Sequence, residues 1–148
     1  MCKVKIGIAN DHAGFPLKGG ILRYLKEEGY DVVDFGCDSA SPVDYPDYGH
    51  ALAEAVEKGQ VKYGIAICGT GNGINMVTNK HQGVRSALCW EEKIGELVRS
   101  HNDANICALP GRFISEDTAV GIVRVFLNTP FEGGRHLNRV RKIPIHKA

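Results

Sequence analysis

The sequence predicts an α/β protein in which a five-stranded parallel sheet lies between two layers of helices. Two observations predict it. Short β-rich runs alternate along the chain with longer stretches whose apolar residues recur at helical spacing. The short runs are apolar almost throughout, as expected of strands covered on both faces. Closed by right-handed crossovers, that alternation gives a doubly wound, Rossmann-like three-layer sandwich.

Each element has its own signal. "VKIGIA" (4–9) is the first strand, and a helix over 14–28 follows, with Leu17, Ile21, Leu22 and Leu25 on one face. Gly29 closes that helix, and "DVVDF" (31–35) is the second strand. The turn-rich "GCDSASPVDYPD" leads to a helix over 47–58 whose apolar face includes Leu52, Ala55 and Val56. "YGIAIC" (63–68) is a strand, 72–80 a short helix, "GVRSALC" (83–89) a strand and 91–100 a helix. "NICALP" (105–110) is the fifth strand and 116–128 its helix. The basic tail, 132–148, lies beyond the last unit. No repeat, linker or low-complexity stretch interrupts this series, so residues 1–148 read as one domain.

Composition narrows the function. An apolar fraction of 43%, a charged fraction of 24% and a net charge of +1 are those of an ordinary globular protein. They give no electrostatic case for nucleic acid or a membrane surface. No apolar stretch approaches the ~18 residues that span a bilayer, and "MCKVKIGIAN" reads as a first strand, not a signal peptide. Five cysteines (Cys2, Cys37, Cys68, Cys89, Cys107) form no paired short spacing, which suggests reduced thiols and a cytoplasmic location.

In an open parallel sheet, ligands bind beyond the carboxyl ends of the strands. "GIAICGTGNG" (64–73) stands out there: an apolar strand ends on Cys68 and opens into a glycine loop that starts a helix. A helix N-terminus favours a thiolate, so Cys68 suits a base or nucleophile; the plainer reading is a buried packing cysteine. Backbone amides of Gly69, Thr70, Gly71, Asn72 and Gly73 fit an oxyanion hole. They match neither the dinucleotide fingerprint nor a Walker loop. Asp11 and His12, after the first strand, serve equally as a helix cap or as sugar contacts. His101 and Asn102 lie at the amino end of a strand, the wrong end for this chain's own site; either they cap a helix or a second subunit receives them. Arg135 and Arg139, one helical turn apart, either grip a phosphate or form a solvated basic face. No metal motif is present: there is no C-x-x-C or H-E-x-x-H.

Taken together, "NDHAGFPLK", "VDYPD", "CGTGNG", "NKHQGVRSALC", "HNDAN", "PGRFI" and "FEGGRHLNRVRKI" occur in an order and at spacings that resemble the ribose-5-phosphate isomerase B family of sugar-phosphate isomerases. The likeness covers about residues 3 to 143. It implies an aldose–ketose isomerase of ribose 5-phosphate and ribulose 5-phosphate, in the pentose phosphate pathway. The alternatives are an isomerase of allose or galactose 6-phosphate, or a non-catalytic sugar-phosphate-binding module.

The resemblance also implies roles. Cys68 would move the proton between C2 and C1, and the 69–73 amides with Asn102 would stabilise the enediolate. His101 would open the furanose ring, Thr70 would orient the sugar, and Tyr45 would line the pocket. Asp11 and His12 would contact substrate, and Arg112, Arg135 and Arg139 would hold its phosphate. Relatives with serine in place of the cysteine use a nearby glutamate, but Asn75 and Met76 here offer no carboxylate. Asn10 replaces a common serine and is expected still to cap the first helix. No cofactor or metal is implied. The partner would be a second copy of the chain, in a homodimer with shared active sites or a tetramer, with the 132–148 tail packing on the other subunit.

Overall fold

The computed structural model describes residues 3–145, so Cys2 and the end of the tail lie outside the described residues. Five strands, β1 (Lys5–Asn10), β2 (Asp31–Asp34), β3 (Tyr63–Cys68), β4 (Ser86–Leu88) and β5 (Ile106–Pro110), form one parallel sheet in the order β2-β1-β3-β5-β4. The helices are α1 (Phe15–Glu27), α2 (Tyr45–Glu57), α3 (Asn72–Thr78), α4 (Glu92–Ser100), α5 (Glu116–Asn128) and α6 (Arg135–Val140). None of them is long and apolar enough to cross a membrane.

Strand residues alternate between two cores. Ile6, Ile8, Ile65, Ile67, Cys107 and Leu109 face α1, α4 and α5, where Ile21, Leu25, Ile122 and Phe126 are fully buried. Ala9, Ala66 and Ala108 face α2 and α3 with Leu52, Ala53 and Ile74. The second face is built from small residues because α2 lies close: a Cβ on Gly7 would meet Leu52 Cδ1 at 2.6 Å, and one on Gly64 would meet it at 3.0 Å. Burying a Leu or Ile contributes roughly 1.5–3 kcal/mol, so the two layers anchor the sheet from both sides.

Several elements differ from expectation at their ends. α2 begins two residues early because Pro46, within its first turn, favours the helical φ. β4 is only three residues long: the Gly83 N–H is taken by Glu57 Oε2 (2.8 Å) and the Val84 N–H by the His81 carbonyl (3.0 Å), so the chain is still turning where a strand was expected. The outward-facing peptide of Ser86 in β4 pairs with the Asn79 side-chain amide, through Nδ2 to Ser86 O and Ser86 N to Oδ1, both 2.8 Å. α6 was not anticipated as an element; it follows Gly133 and Gly134, both at positive φ. Asn10 is not a helix cap. It is fully buried, and its Nδ2 donates to the Asp11 carbonyl (3.0 Å) and approaches Cys37 Sγ (3.3 Å), tying β1 to the loop after β2.

The chain leaves β1 toward β2 in one direction and toward β3, β5 and β4 in the other. The strand order therefore reverses between β1 and β3, and a crevice opens beyond their carboxyl ends.

Candidate active site

Three loops meet at that crevice. The turn after β1 is fixed by Asp11, 5% exposed, whose Oδ1 accepts from the Ala13 (2.9 Å) and Gly14 (3.0 Å) N–H groups. Its own N–H donates to Ile67 O in β3 at 3.2 Å. The loop after β5 is pinned to the end of β3 by Gly111 N to Cys68 O (2.8 Å) and Arg112 N to Gly69 O (3.0 Å). Cys68, Asp11 and exposed Arg112 thus surround the 69–73 loop.

Within that loop, Gly71 has φ +74°, a conformation an L side chain adopts rarely, and a Cβ there would meet Leu88 Cδ1 at 2.5 Å. The left-handed turn aims the chain into α3. Thr70 Oγ1 accepts from the N–H of exposed Asn72 at 3.2 Å, which leaves its own O–H to donate outward. Tyr45, at the start of α2, lies over Gly73: a Cβ at 73 would be 2.6 Å from Tyr45 Cζ. Cys68 is 4% exposed and shares the apolar cluster of Ala66 and Ile74, so the sulfur sits under a largely dry wall. His12 Nδ1 accepts from the Val43 N–H at 3.2 Å, which sets the tautomer that carries its proton on Nε2, a donor for an anion.

Cys37, Cys89 and Cys107 are buried and free. The Cys107 thiol is pushed well above its usual range by a hydrogen bond with Cys89 and by burial, which suits packing and not reactivity.

His101, Asn102, Arg135 and Arg139 are brought together elsewhere. They lie beyond the amino end of β5, which is separated from the Cys68 end of the sheet by four residues of strand, roughly 13 Å. His101 is the C-cap of α4, and its ring stacks on that of His136 with centroids 4.3 Å apart and planes inclined by 12°. Glu132 N donates to Ser100 O at 3.0 Å, which brings the start of α6 against this loop. Arg135 and Arg139 are exposed, one turn apart on α6. Buried His136 has its pKa lowered from 6.5 by desolvation first, then by His101 and Arg135, against an opposing pull from Glu132. His101, Glu132 and His136 hold possible ligand atoms within 4.8 Å of one another. Stacked rings keep their lone pairs in near-parallel planes, however, so one ion cannot lie in both as it must at a zinc centre.

The predicted residues therefore form two groups: Asp11, His12, Tyr45, Cys68, the 69–73 loop and Arg112 at one end of the sheet, and His101, Asn102, Arg135 and Arg139 at the other. Sequence reasoning singled out both groups but missed the His101–His136 stack. The spacing of "GGRHL" after a glycine pair was the available signal, since it starts a helix with His136 in its first turn.

Against known proteins, a family model described as "Ribose/Galactose Isomerase" matches residues 6–143. Ribose-5-phosphate isomerase B of Escherichia coli is 43% identical over 139 residues, covering 94% of this chain and 93% of that protein. The solved ribose 5-phosphate isomerase of Thermotoga maritima superposes with a TM-score of 0.93 at 47% identity, over 95% of this chain and 97% of that one. The Mycoplasma genitalium ribose-5-phosphate isomerase B, solved with bound ribulose-5-phosphate, superposes with a TM-score of 0.92 at 41% identity, over 97% and 95%.

Proposed function

The chain belongs to the ribose/galactose isomerase family, and from that footing we propose that it interconverts ribose 5-phosphate and ribulose 5-phosphate through an enediolate, in a site completed by two copies of the chain. His101 of one copy takes the proton of the anomeric hydroxyl and delivers it to the ring oxygen, which frees the aldehyde at C1. Cys68 of the other copy, as thiolate, then removes the C2 hydrogen as a proton. The electron pair becomes the C1=C2 bond and charge collects on O1, where the 69–73 amides and the Asn102 amide receive it. The O2 proton passes to O1, and the Cys68 thiol returns its proton to C1 to leave the C2 ketone. Thr70 orients the sugar, Asp11 contacts it and Tyr45 walls the pocket. His12, Arg112 and the other copy's Arg135 and Arg139 hold the phosphate.

The observation that carries this reading is the convergence of Cys68, the left-handed glycine turn at Gly71 and Arg112 on the crevice between β1 and β3. Two further facts support it. Both relatives named above with that activity cover nearly the whole chain, and a third was solved with the ketose phosphate bound. The two-copy arrangement is supported by the separation of the two residue groups across the sheet. An enediolate route of this kind uses side chains and amides alone, so we expect no metal or organic cofactor.

The test is an isomerase assay in EDTA comparing ribose 5-phosphate with allose and galactose 6-phosphates. Turnover of ribose 5-phosphate that disappears in Cys68→Ala is the expected result. Faster turnover of a six-carbon phosphate would move the substrate assignment, and no turnover of any of the three by folded protein would overturn the reading.

A further inference from the structure

Asp103 is, among the described residues, the one non-glycine residue at positive φ, +49°. It closes the turn that follows α4, in the left-handed conformation that usually falls to glycine: its N–H donates to Arg99 O at 3.1 Å and the next N–H, of Ala104, to Val98 O at 3.0 Å. Glycine would adopt that turn more readily, so the carboxylate needs a separate reason. Its two oxygens each meet an arginine: Oδ1 accepts from Arg99 Nη1 at 2.8 Å and Oδ2 lies 3.4 Å from Arg85 Nη2, while Arg85 Nε donates to the Asp103 main-chain carbonyl at 2.8 Å, a bond that glycine would keep.

Arg99 is itself held on every side. It is 5% exposed; Nη1 also donates to Ala104 O (2.6 Å), Nη2 to the Tyr63 hydroxyl (3.1 Å) and Nε to Thr129 O (3.3 Å). Its guanidinium lies 4.9 Å from the Tyr63 ring centroid and 5.8 Å from that of Phe126. The fixed points on which Asp103 is hung are therefore β3, α5 and the segment that leads to α6. His101 and Asn102 are the two residues between the end of α4 and this anchored turn.

We infer that Asp103, clamped between Arg99 and Arg85, is a positioning residue that holds His101 and Asn102 in the geometry needed for ring opening and enediolate stabilisation. The inference rests on the isomerase reading given above. Buried, planar, multiply bonded arginine gives the loop a defined orientation, and misplacement of a reacting group by about 1 Å can cost about 10²-fold in rate.

Asp103→Gly separates the two things Asp103 does, since it keeps the turn and the main-chain bonds to Arg85 and Arg99 but removes the carboxylate's part of the clamp. It should lower kcat on ribose 5-phosphate by about 10²-fold, with KM changed by less than about threefold because none of the proposed phosphate-holding side chains, His12, Arg112, Arg135 and Arg139, stands on the 101–105 loop itself. Asp103→Asn, which tolerates the left-handed turn and keeps a carbonyl oxygen toward Arg99, should recover most of the loss. In a His101→Ala Asn102→Ala background, assayed from the open-chain ribulose 5-phosphate, which needs no ring opening, Asp103→Gly should cost less than about threefold, because the clamp acts through side chains no longer present. Wild-type kcat in Asp103→Gly, or an equal loss in both backgrounds, would overturn the inference. Amide hydrogen exchange supplies a reading independent of catalysis: residues 101–105 should exchange faster in Asp103→Gly while β3 and α5 keep their protection. Unchanged protection at 101–105 refutes the clamp even if the wild-type protein turns over no pentose phosphate, the outcome that would instead defeat the isomerase reading.

Discussion

The ring of His101 lies flat on that of His136, centroids 4.3 Å apart, with Glu132 Oε2 3.5 Å from His136 Nε2. A ring proposed to gain and lose a proton in each turnover thus rests on one whose protonation is disfavoured. His136 has a folded-state pKa below the unfolded value, so the folded protein binds this proton less readily than the unfolded chain does.

The sign of the resulting pH dependence is definite. The contribution of His136 is fully present above pH 6.5 and is lost as pH falls through its lowered folded value. Glu57 is lowered from 4.5, chiefly by the Gly83 N–H, and its contribution is lost in turn below that range. Thermal unfolding followed from pH 8 to pH 4 should show a midpoint that falls first below about pH 6.5. In His136→Asn that first decline should flatten while the carboxylate limb remains.

Removing the proposed base should leave binding intact. Cys68→Ala should lower kcat by about 10³-fold or more, toward the upper end of what acid–base groups contribute, with KM changed little. A rate near that of the wild-type protein would remove Cys68 from the mechanism.

The proposed sharing of sites between two copies makes a prediction about mixtures. Cys68→Ala and His101→Ala are each expected to be inactive on ribose 5-phosphate. Unfolded together in equal amounts and refolded, half the dimers are mixed and each carries one intact site. About a quarter of wild-type activity should then return. No recovery would mean that one chain supplies both residues, or that the copies do not meet in this way.

Gly71 should not tolerate a side chain. Gly71→Ala combines a left-handed φ with a Cβ 2.5 Å from Leu88 Cδ1 and 3.0 Å from the Leu109 carbonyl carbon. A cost of about 2–4 kcal/mol in denaturant unfolding is expected. The same change should lower kcat, because the amides that follow would shift with the turn.

Buried Lys18 offers a test by order of effect. Its Nζ meets Asp34 Oδ2 at 2.7 Å and the Cys37 carbonyl at 2.9 Å, with side-chain exposures of 5% for Lys18 and 35% for Asp34. Asp34→Ala leaves the ammonium buried and should cost about 3 kcal/mol. Lys18→Met frees a carboxylate that can reach water and should cost less, about 1–2 kcal/mol. Urea midpoints would show the order, and a reversal would mean that the ammonium is solvated after all.

The alternation of strands and helices, and the loops worth searching, were legible because buried strands and amphipathic helices write different periods into the chain. The order β2-β1-β3-β5-β4 was not, since pairing between distant strands leaves no local trace. α6 escaped notice because six residues after two glycines carry too little periodicity. The chain did show that Cys68, the glycine loop and Arg112 share one end of the sheet while His101 and Asn102 lie at the other. Arg99 and Asp103 did not stand out: an arginine and an aspartate four residues apart look like a surface helix pair, and only the fold buries the arginine and bends the chain at the aspartate.

The Asn79 amide on Ser86 has a consequence for how copies of this chain can associate. An open strand edge is a template on which sheets from separate molecules join and grow into fibres. At this edge the strand is three residues long and its outward peptide is already engaged by a side chain. The opposite edge, β2, is only four residues long and begins on exposed Asp31, a charge that resists stacking against another copy. Both rims of the sheet resist extension, so any association of copies falls to helices and loops, the surfaces that carry the two halves of the proposed site.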